Sequence, residues 1–142
     1  MKSLFDELDI NSSKTSNRIL QMPLYIGGPI STDSVFILYD KLKNPEKVSS
    51  IKISDTLFLT TSQKVLSSIA ENKTPENFLV FAGCAAWNKN QLLQEMKNND
   101  WLLSNIDKKI LFKTHNSLKW KLTLNNIKLD LPKFLSREHS YV

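Results

Sequence analysis

Two short uninterrupted apolar runs, Val35-Phe36-Ile37-Leu38-Tyr39 and Phe78-Leu79-Val80-Phe81-Ala82-Gly83, constrain this chain more than any other feature. Each has strand length, and neither shows the alternation of a strand with one wet face, so both read as strands covered on two sides. Such strands need other elements to cover them. Ile51 and Ile53 alternate with Ser50, Lys52 and Ser54, the period of a half-buried strand. Val65, Leu66, Ile69 and Ala70 share one face of a helix running to Glu71, for which Thr60-Thr61-Ser62 supplies capping hydroxyls.

The remaining chain alternates irregularly between the two periods. Leu4, Phe5 and Leu8 form a stripe on a helix over Ser3–Ile10, followed by a polar loop over Asn11–Asn17. Leu24-Tyr25-Ile26 is a short strand ending in a tight turn at Gly27-Gly28-Pro29. A charged loop spans Lys41–Lys47, and Asp55-Thr56 turns the chain into the strand Leu57-Phe58-Leu59. A two-sided helix near Asn88–Asn98 sets Leu92, Leu93 and Met96 against Gln91, Gln94, Glu95 and Asn98. Lys109–Lys113 is expected as a strand, and His115–Asn126 as a last helix with Trp120, Leu124 and Ile127 in line. The tail from Asp130 carries no clear element. Irregular interleaving of this kind predicts an α+β fold, and 142 residues without a repeat or linker predict a single domain over 1–142.

Composition removes several classes. With Cys84 as the one cysteine there is no internal disulfide framework and no cysteine-based zinc cluster. Asp6, Glu7 and Asp9 inside the first amphipathic stretch are unlike a signal peptide, and no apolar run approaches the roughly 18–20 residues that cross a bilayer. A soluble cytoplasmic domain without a membrane partner is expected. The net charge is +5, but only Arg18 and Arg137 among the 19 basic residues are arginine, the side chain whose planar fork suits phosphate and base edges. The lysines are scattered, so a solvated basic surface explains them more simply than direct nucleic-acid contact.

No set of residues has the spacing that catalysis requires. His115 and His139 are the two histidines and form no two-ligand spacing, so neither a metal nor a cofactor is expected. Gly27-Gly28-Pro29 lacks the spaced glycines and the Lys-Ser/Thr of a phosphate loop. Cys84 has no nearby base and reads as a buried core thiol. Thr60, Thr61 and Ser62 could present hydroxyls and helix amides to an anion, although capping alone accounts for them. Gln91 and Glu95 stand one turn apart on a polar face without a second carboxylate, and Trp87 and Trp101 read as buried anchors on either side of that helix.

Taken in order, Tyr25-Ile-Gly-Gly-Pro-Ile30, Ser50-Ile-Lys-Ile-Ser-Asp55, Leu59-Thr-Thr-Ser62, Gly83-Cys-Ala-Ala-Trp-Asn-Lys-Asn-Gln-Leu92 with Glu95, Trp101-Leu102 and Ile110-Leu-Phe112 resemble the YqgE/AlgH family of bacterial proteins. The resemblance runs from Leu4 to about Leu129. It implies an α+β fold with a split or barrel-like, mostly antiparallel sheet surrounded by helices. No catalytic residues are established for that family, and some members carry a suggested role as transcriptional regulators of alginate production. Gly27, Gly28 and Pro29 match the family's turn, and Thr60, Thr61 and Ser62 match its helix start. Gly83, Trp87, Gln91, Leu92, Glu95 and Trp101 match its Gly/Trp/Gln-Leu/Glu/Trp segment. Cys84 stands where the family usually has an aromatic, Ala86 and Asn90 where it has glycine, and Leu93 where it has glutamate. Family members also open with a strand-rich stretch before the helix that Ser3–Ile10 matches. The expectation is therefore either a start codon upstream of Met1 or a short copy held together by oligomerisation.

The resemblance and the residues together lead to a regulatory binding protein without catalysis, with DNA or a protein as partner. The competing expectation is a small-metabolite-binding protein or enzyme with a pocket near Gly28, Thr61, Trp87 and Glu95. The ligand set carried by these readings is Gly27, Gly28, Thr60, Thr61, Ser62, Trp87, Gln91 and Glu95. Direct DNA binding through the lysines predicts filter retention that weakens steeply with added salt, because each neutralised phosphate releases counterions; no retention at low salt excludes it.

Overall fold

Five strands join in one mixed sheet in the computed structural model, which describes residues 23–42, 48–71, 73 and 75–127. The helix expected at Ser3–Ile10, the loop Asn11–Asn17, Lys43–Lys47 and the tail from Asp130 lie outside the described residues. Chain order is β1 (Leu24–Ile26), β2 (Ile30–Tyr39), β3 (Ile51–Ser54), β4 (Leu57–Thr60), α1 (Gln63–Ala70), β5 (Phe78–Cys84), α2 (Lys89–Lys97), a π-helical turn (Lys109–Lys113) and α3 (Asn116–Ile127). Across the sheet the order is β1-β5-β2-β4-β3. β1 runs parallel to β5, while β5–β2, β2–β4 and β4–β3 are antiparallel. This is the expected α+β class with a mostly antiparallel sheet, open among the described residues. Two compact units result, one ending at Trp87 and the other beginning at Asn88.

In the sheet unit the two apolar runs are paired neighbours at the centre: Ile37 faces Val80, and Tyr39 faces Phe78. α1 lays Val65, Leu66, Ile69 and Ala70 against that face, where they form one cluster with Ile37, Tyr39, Leu42 and Val80. Burying each branched or leucyl side chain contributes roughly 1.5–3 kcal/mol, so this helix–sheet contact is the main apolar stabilisation of the unit. Tyr39 stays in the core because its hydroxyl shares a 2.6 Å hydrogen bond with Ser50 Oγ.

β2 is longer than its apolar run. It begins at Ile30, and between the Ile30–Cys84 and Val35–Ala82 pairs β2 carries five steps against two on β5. The three surplus residues fall within the polar stretch Ser31-Thr32-Asp33-Ser34, expelled as a bulge in which Ser31 takes a φ of 49°. Gly83 makes room for it: a Cβ at Gly83 would stand 2.6 Å from the Gly28 carbonyl oxygen and 3.0 Å from that of Ile30. Gly27 is equally tight, with its absent Cβ 2.2 Å from the Gly83 oxygen. Gly27-Gly28-Pro29 is thus more than the expected turn. It is the place where β1 and β5 close on each other, and the Gly27 amide donates to the Ala82 carbonyl at 2.8 Å.

Three expectations are corrected. Ile51 and Ile53 are 65% and 51% exposed instead of half-buried, because β3 is the edge strand beyond β4 and its register shifts between Lys52 and Ser54. The Lys52 ammonium lies 2.8 Å from the Asp55 carboxylate and holds that carboxyl below its ordinary pKa. A short, bulged edge carrying a lysine discourages strand addition. Second, Lys109–Lys113 is a π-helical turn and not a strand. Asp107 starts it: its Oδ1 accepts the Lys109 and Ile110 amides at 2.8 and 3.1 Å, and its carbonyl accepts the Leu111 amide. Thr114 Oγ1 closes the turn on the Lys109 carbonyl. Third, the two-sided helix at Lys89–Lys97 buries none of its residues, although Asn88 caps it as a good N-cap should, accepting the Gln91 amide at 2.8 Å. The last helix forms as expected over Asn116–Ile127, with Leu124 buried and Trp120 exposed.

Because backbone meets backbone at the glycines, no rotamer change can relieve an added methyl there. Gly27→Ala and Gly83→Ala should each lower stability by more than about 3 kcal/mol, whereas Ile51→Thr on the exposed edge should stay within about 0.5 kcal/mol. Urea denaturation followed by circular dichroism separates the two classes.

Candidate functional site

The bulge on β2 and the start of α1 enclose a groove of about 320 Å³, lined by Asp33, Ser34, Thr61, Ser62, Gln63 and Leu66 among others. Its floor is apolar and its rim carries a carboxylate, three hydroxyls and an amide. The sequence led to Thr61 and Ser62 but missed Asp33 and Ser34, whose only signal was an unexplained polar run between Pro29 and the apolar strand.

Thr60, Thr61 and Ser62 divide their work differently from the capping expected of them. Thr60 is 4% exposed at the end of β4. Its Oγ1 donates to the Ser49 carbonyl at 2.7 Å and accepts the Ser62 amide at 3.1 Å. Ser62 occupies the N-cap position, yet its side chain makes no cap bond; only its carbonyl accepts the Val65 and Leu66 amides. Thr61 is exposed at the groove. The start of α1 is therefore tied by the buried Thr60 hydroxyl, and the two following hydroxyls are left on the groove side.

Gly27 and Gly28 do not line this groove. Ile37 pairs with both Thr60 and Val80, while the glycines lie beside Cys84. Val80 and Cys84 are four residues apart on β5, about 13 Å at the usual strand rise. Cys84 is half-buried, not the enclosed core thiol that was expected. Trp87 follows β5 at 37% exposure, so it is not a buried anchor.

In the helical unit Gln91, Glu95 and Trp101 form one hydrogen-bonded chain. Gln91 Nε2 donates to Glu95 Oε1 at 3.1 Å, and the Trp101 indole N–H donates to Glu95 Oε2 at 2.8 Å. Glu95 thus joins the first and second turns of α2 to the segment that follows it. Trp101 is 44% exposed, a tethered surface ring and not the anchor expected. Among the described residues no group of three or more His, Cys, Asp or Glu side chains is placed to hold a metal, and no helix is long and apolar enough to cross a membrane.

An open five-stranded α+β sheet with a glycine crossing at one end and a hydroxyl-lined helix start defines a recognisable class. The model of the AlgH-like family matches residues 1–132, and the chain belongs to that family. It is 42% identical over 122 residues to UPF0301 proteins of Francisella tularensis, from subspecies holarctica and novicida among others, covering 85% of this chain and 62% of theirs. The chain thus spans under two thirds of the length of those relatives. The solution structure of AlgH from Pseudomonas aeruginosa superposes with a TM-score of 0.71 at 27% identity, covering 97% of this chain and 70% of that one. A crystal structure of a Corynebacterium diphtheriae protein shares the fold, with a TM-score of 0.64 at 20% identity over 92% of this chain and 66% of that one.

Replacing Thr60 by the isosteric Val would remove two part-buried hydrogen bonds, to the Ser49 carbonyl and from the Ser62 amide. Thr60→Val should lower stability by about 1–2 kcal/mol, whereas Ser62→Ala, which removes no side-chain bond, should cost less than about 0.5 kcal/mol. Chemical denaturation of the two variants checks both values.

Proposed function

We propose that this chain acts by binding, as a regulatory protein of the cytoplasm, and performs no covalent chemistry of its own. The observation carrying this reading is that its most promising reactive groups are engaged in holding the fold. The Thr60 hydroxyl is bonded on both sides to backbone, and both Glu95 oxygens accept side-chain donors. A nucleophile needs a base within hydrogen-bond reach, and Thr60 meets only the Ser49 carbonyl and the Ser62 amide.

The groove between the β2 bulge and α1 is the binding surface in this reading. Its hydroxyls, amide and carboxylate above an apolar floor suit a small polar metabolite. The bulge re-aims Asp33 and Ser34 towards α1, the kind of local distortion that strands use beside binding sites. Control of gene expression, the role suggested for some members of the family, then follows from a ligand-dependent contact with a protein or with DNA. The alternative, a catalytic pocket including Gly28 and Thr61, is disfavoured by the separation of the glycines from the Thr60 rung along β5.

A panel of nucleotides, sugar phosphates and amino acids titrated against the isotope-labelled chain tests the proposal. A hit should shift the amide resonances of residues 33–37 and 61–66 and be recovered chemically unchanged after prolonged incubation. Conversion of the ligand, or shifts confined to residues outside the groove, would refute it.

A further inference from the structure

The polar rim of the groove beside α1 takes no part in holding the fold. It consists of Asp33 and Ser34 from the β2 bulge and Thr61, Ser62 and Gln63 from the approach to α1. Among the described residues, no side-chain hydrogen bond or ion pair engages any of the five. Polar groups of the same kinds are committed elsewhere: Thr60 to two backbone groups, Asn88 to a helix amide, Asp107 to two amides.

The rim also has a sign. Asp33 is the one charged residue in the lining. β4 and β5 carry no charged residue, and the single one on α1, Lys64, stands outside the lining without an ion pair to Asp33. The start of α1 contributes at most about half an elementary positive charge, which does not cancel a full carboxylate. A phosphate or carboxylate entering the groove meets a fixed negative charge, whereas a cation meets an attraction. An ammonium brings three N–H donors, and the carboxylate and the hydroxyls of Ser34, Thr61 and Ser62 are oxygen acceptors for them. The apolar floor, Val35, Phe36, Ile37 and Leu66, then takes the hydrocarbon that carries the charge.

We propose that the groove binds an organic cation, a primary ammonium group on a hydrocarbon body, with Asp33 as its counter-charge. This rests on the groove being the binding surface and names the class of ligand that the surface takes.

Titration of the full chain with phenethylamine at neutral pH, followed by amide and methyl NMR, tests the proposal. Saturable shifts at residues 33–37 and 61–66 are expected. Phenethyl alcohol, which keeps the ring and lacks the charge, should bind about fivefold more weakly, and hydrocinnamate, its anionic counterpart, more weakly still. Asp33→Asn should bring the amine down to the affinity of the alcohol, leave the alcohol unchanged and leave the melting temperature where it was. Equal affinity for amine and alcohol, tighter binding of the acid, or an amine affinity untouched by Asp33→Asn would overturn the ammonium assignment alone, with the groove still a site. Absence of saturable shifts in the groove, with these probes and with the wider ligand panel, would overturn both readings together. The comparison of the three probes on the unaltered chain decides the sign of the charge even if Asp33→Asn fails to fold.

Discussion

Backbone packed on backbone at Gly27, Gly28 and Gly83 is the contact on which the sheet unit depends. These are all the glycines the chain has, and they stand at one crossing. A Cβ at any of the three would come within 2.6 Å of a carbonyl oxygen of the opposing segment. The approach lets β1 pair in parallel with β5 and lets the Ile30 end of β2 return to Cys84. Once both ends of the β2–β5 ladder are set, the surplus residues between them have nowhere to go but outward. The bulge at Ser31–Ser34 is thus a consequence of the crossing, and the groove beside α1 is a consequence of the bulge.

The second layer of constraint is polar. Thr60 sits in the core face of the sheet and converts the end of β4 into the start of α1 through two bonds made by one hydroxyl. That frees Ser62 from side-chain capping and leaves Thr61 and Ser62 on the groove. In the helical unit Glu95 performs a comparable task, joining α2 to Trp101. In both places a side chain with the chemistry of a catalytic group is used as a fastening. The groove beside α1 is lined by a carboxylate, hydroxyls, an amide and apolar carbon. The curated relatives are longer than this chain, so the partners of a whole family member are a wider question than these two units.

Legibility from sequence followed the range of the interactions. The central strands were readable as strands from their apolar runs and the buried face of α1 from its period, but cover on two sides was not: Ile37, Tyr39 and Val80 are buried, while Phe36, Leu38, Leu79 and Phe81 on the alternate positions stay partly exposed. Ile51 and Ile53 show where a local period fails: alternation predicts a half-buried strand, but burial needs a neighbour, and among the described residues β3 pairs with β4 alone. The run Ile110-Leu111-Phe112 is too short to carry any period, so hydrophobicity could not choose between strand and helix. The deciding group is Asp107, an acidic residue two positions ahead of the turn whose carboxylate accepts the first amides. Trp87 and Trp101 were expected inside because they are large and apolar, and both are substantially exposed.

The amino-acid sequence by itself determined the α+β class, the membership of the family, the strand and helix segments with strong periods, and the position of the helix start at Ser62. Those depend on residues close together in the chain, where periodicity and turn chemistry act. Tertiary structure alone decided that the glycines pack against one another, that the β2 bulge faces α1, that Thr60 is a buried fastening while Thr61 is open, and that Asp33 and Ser62 line one groove. Each of these depends on pairing across tens of residues or on which side of an element its neighbour lies. No local pattern records that information, because it is created when strands choose their partners and register.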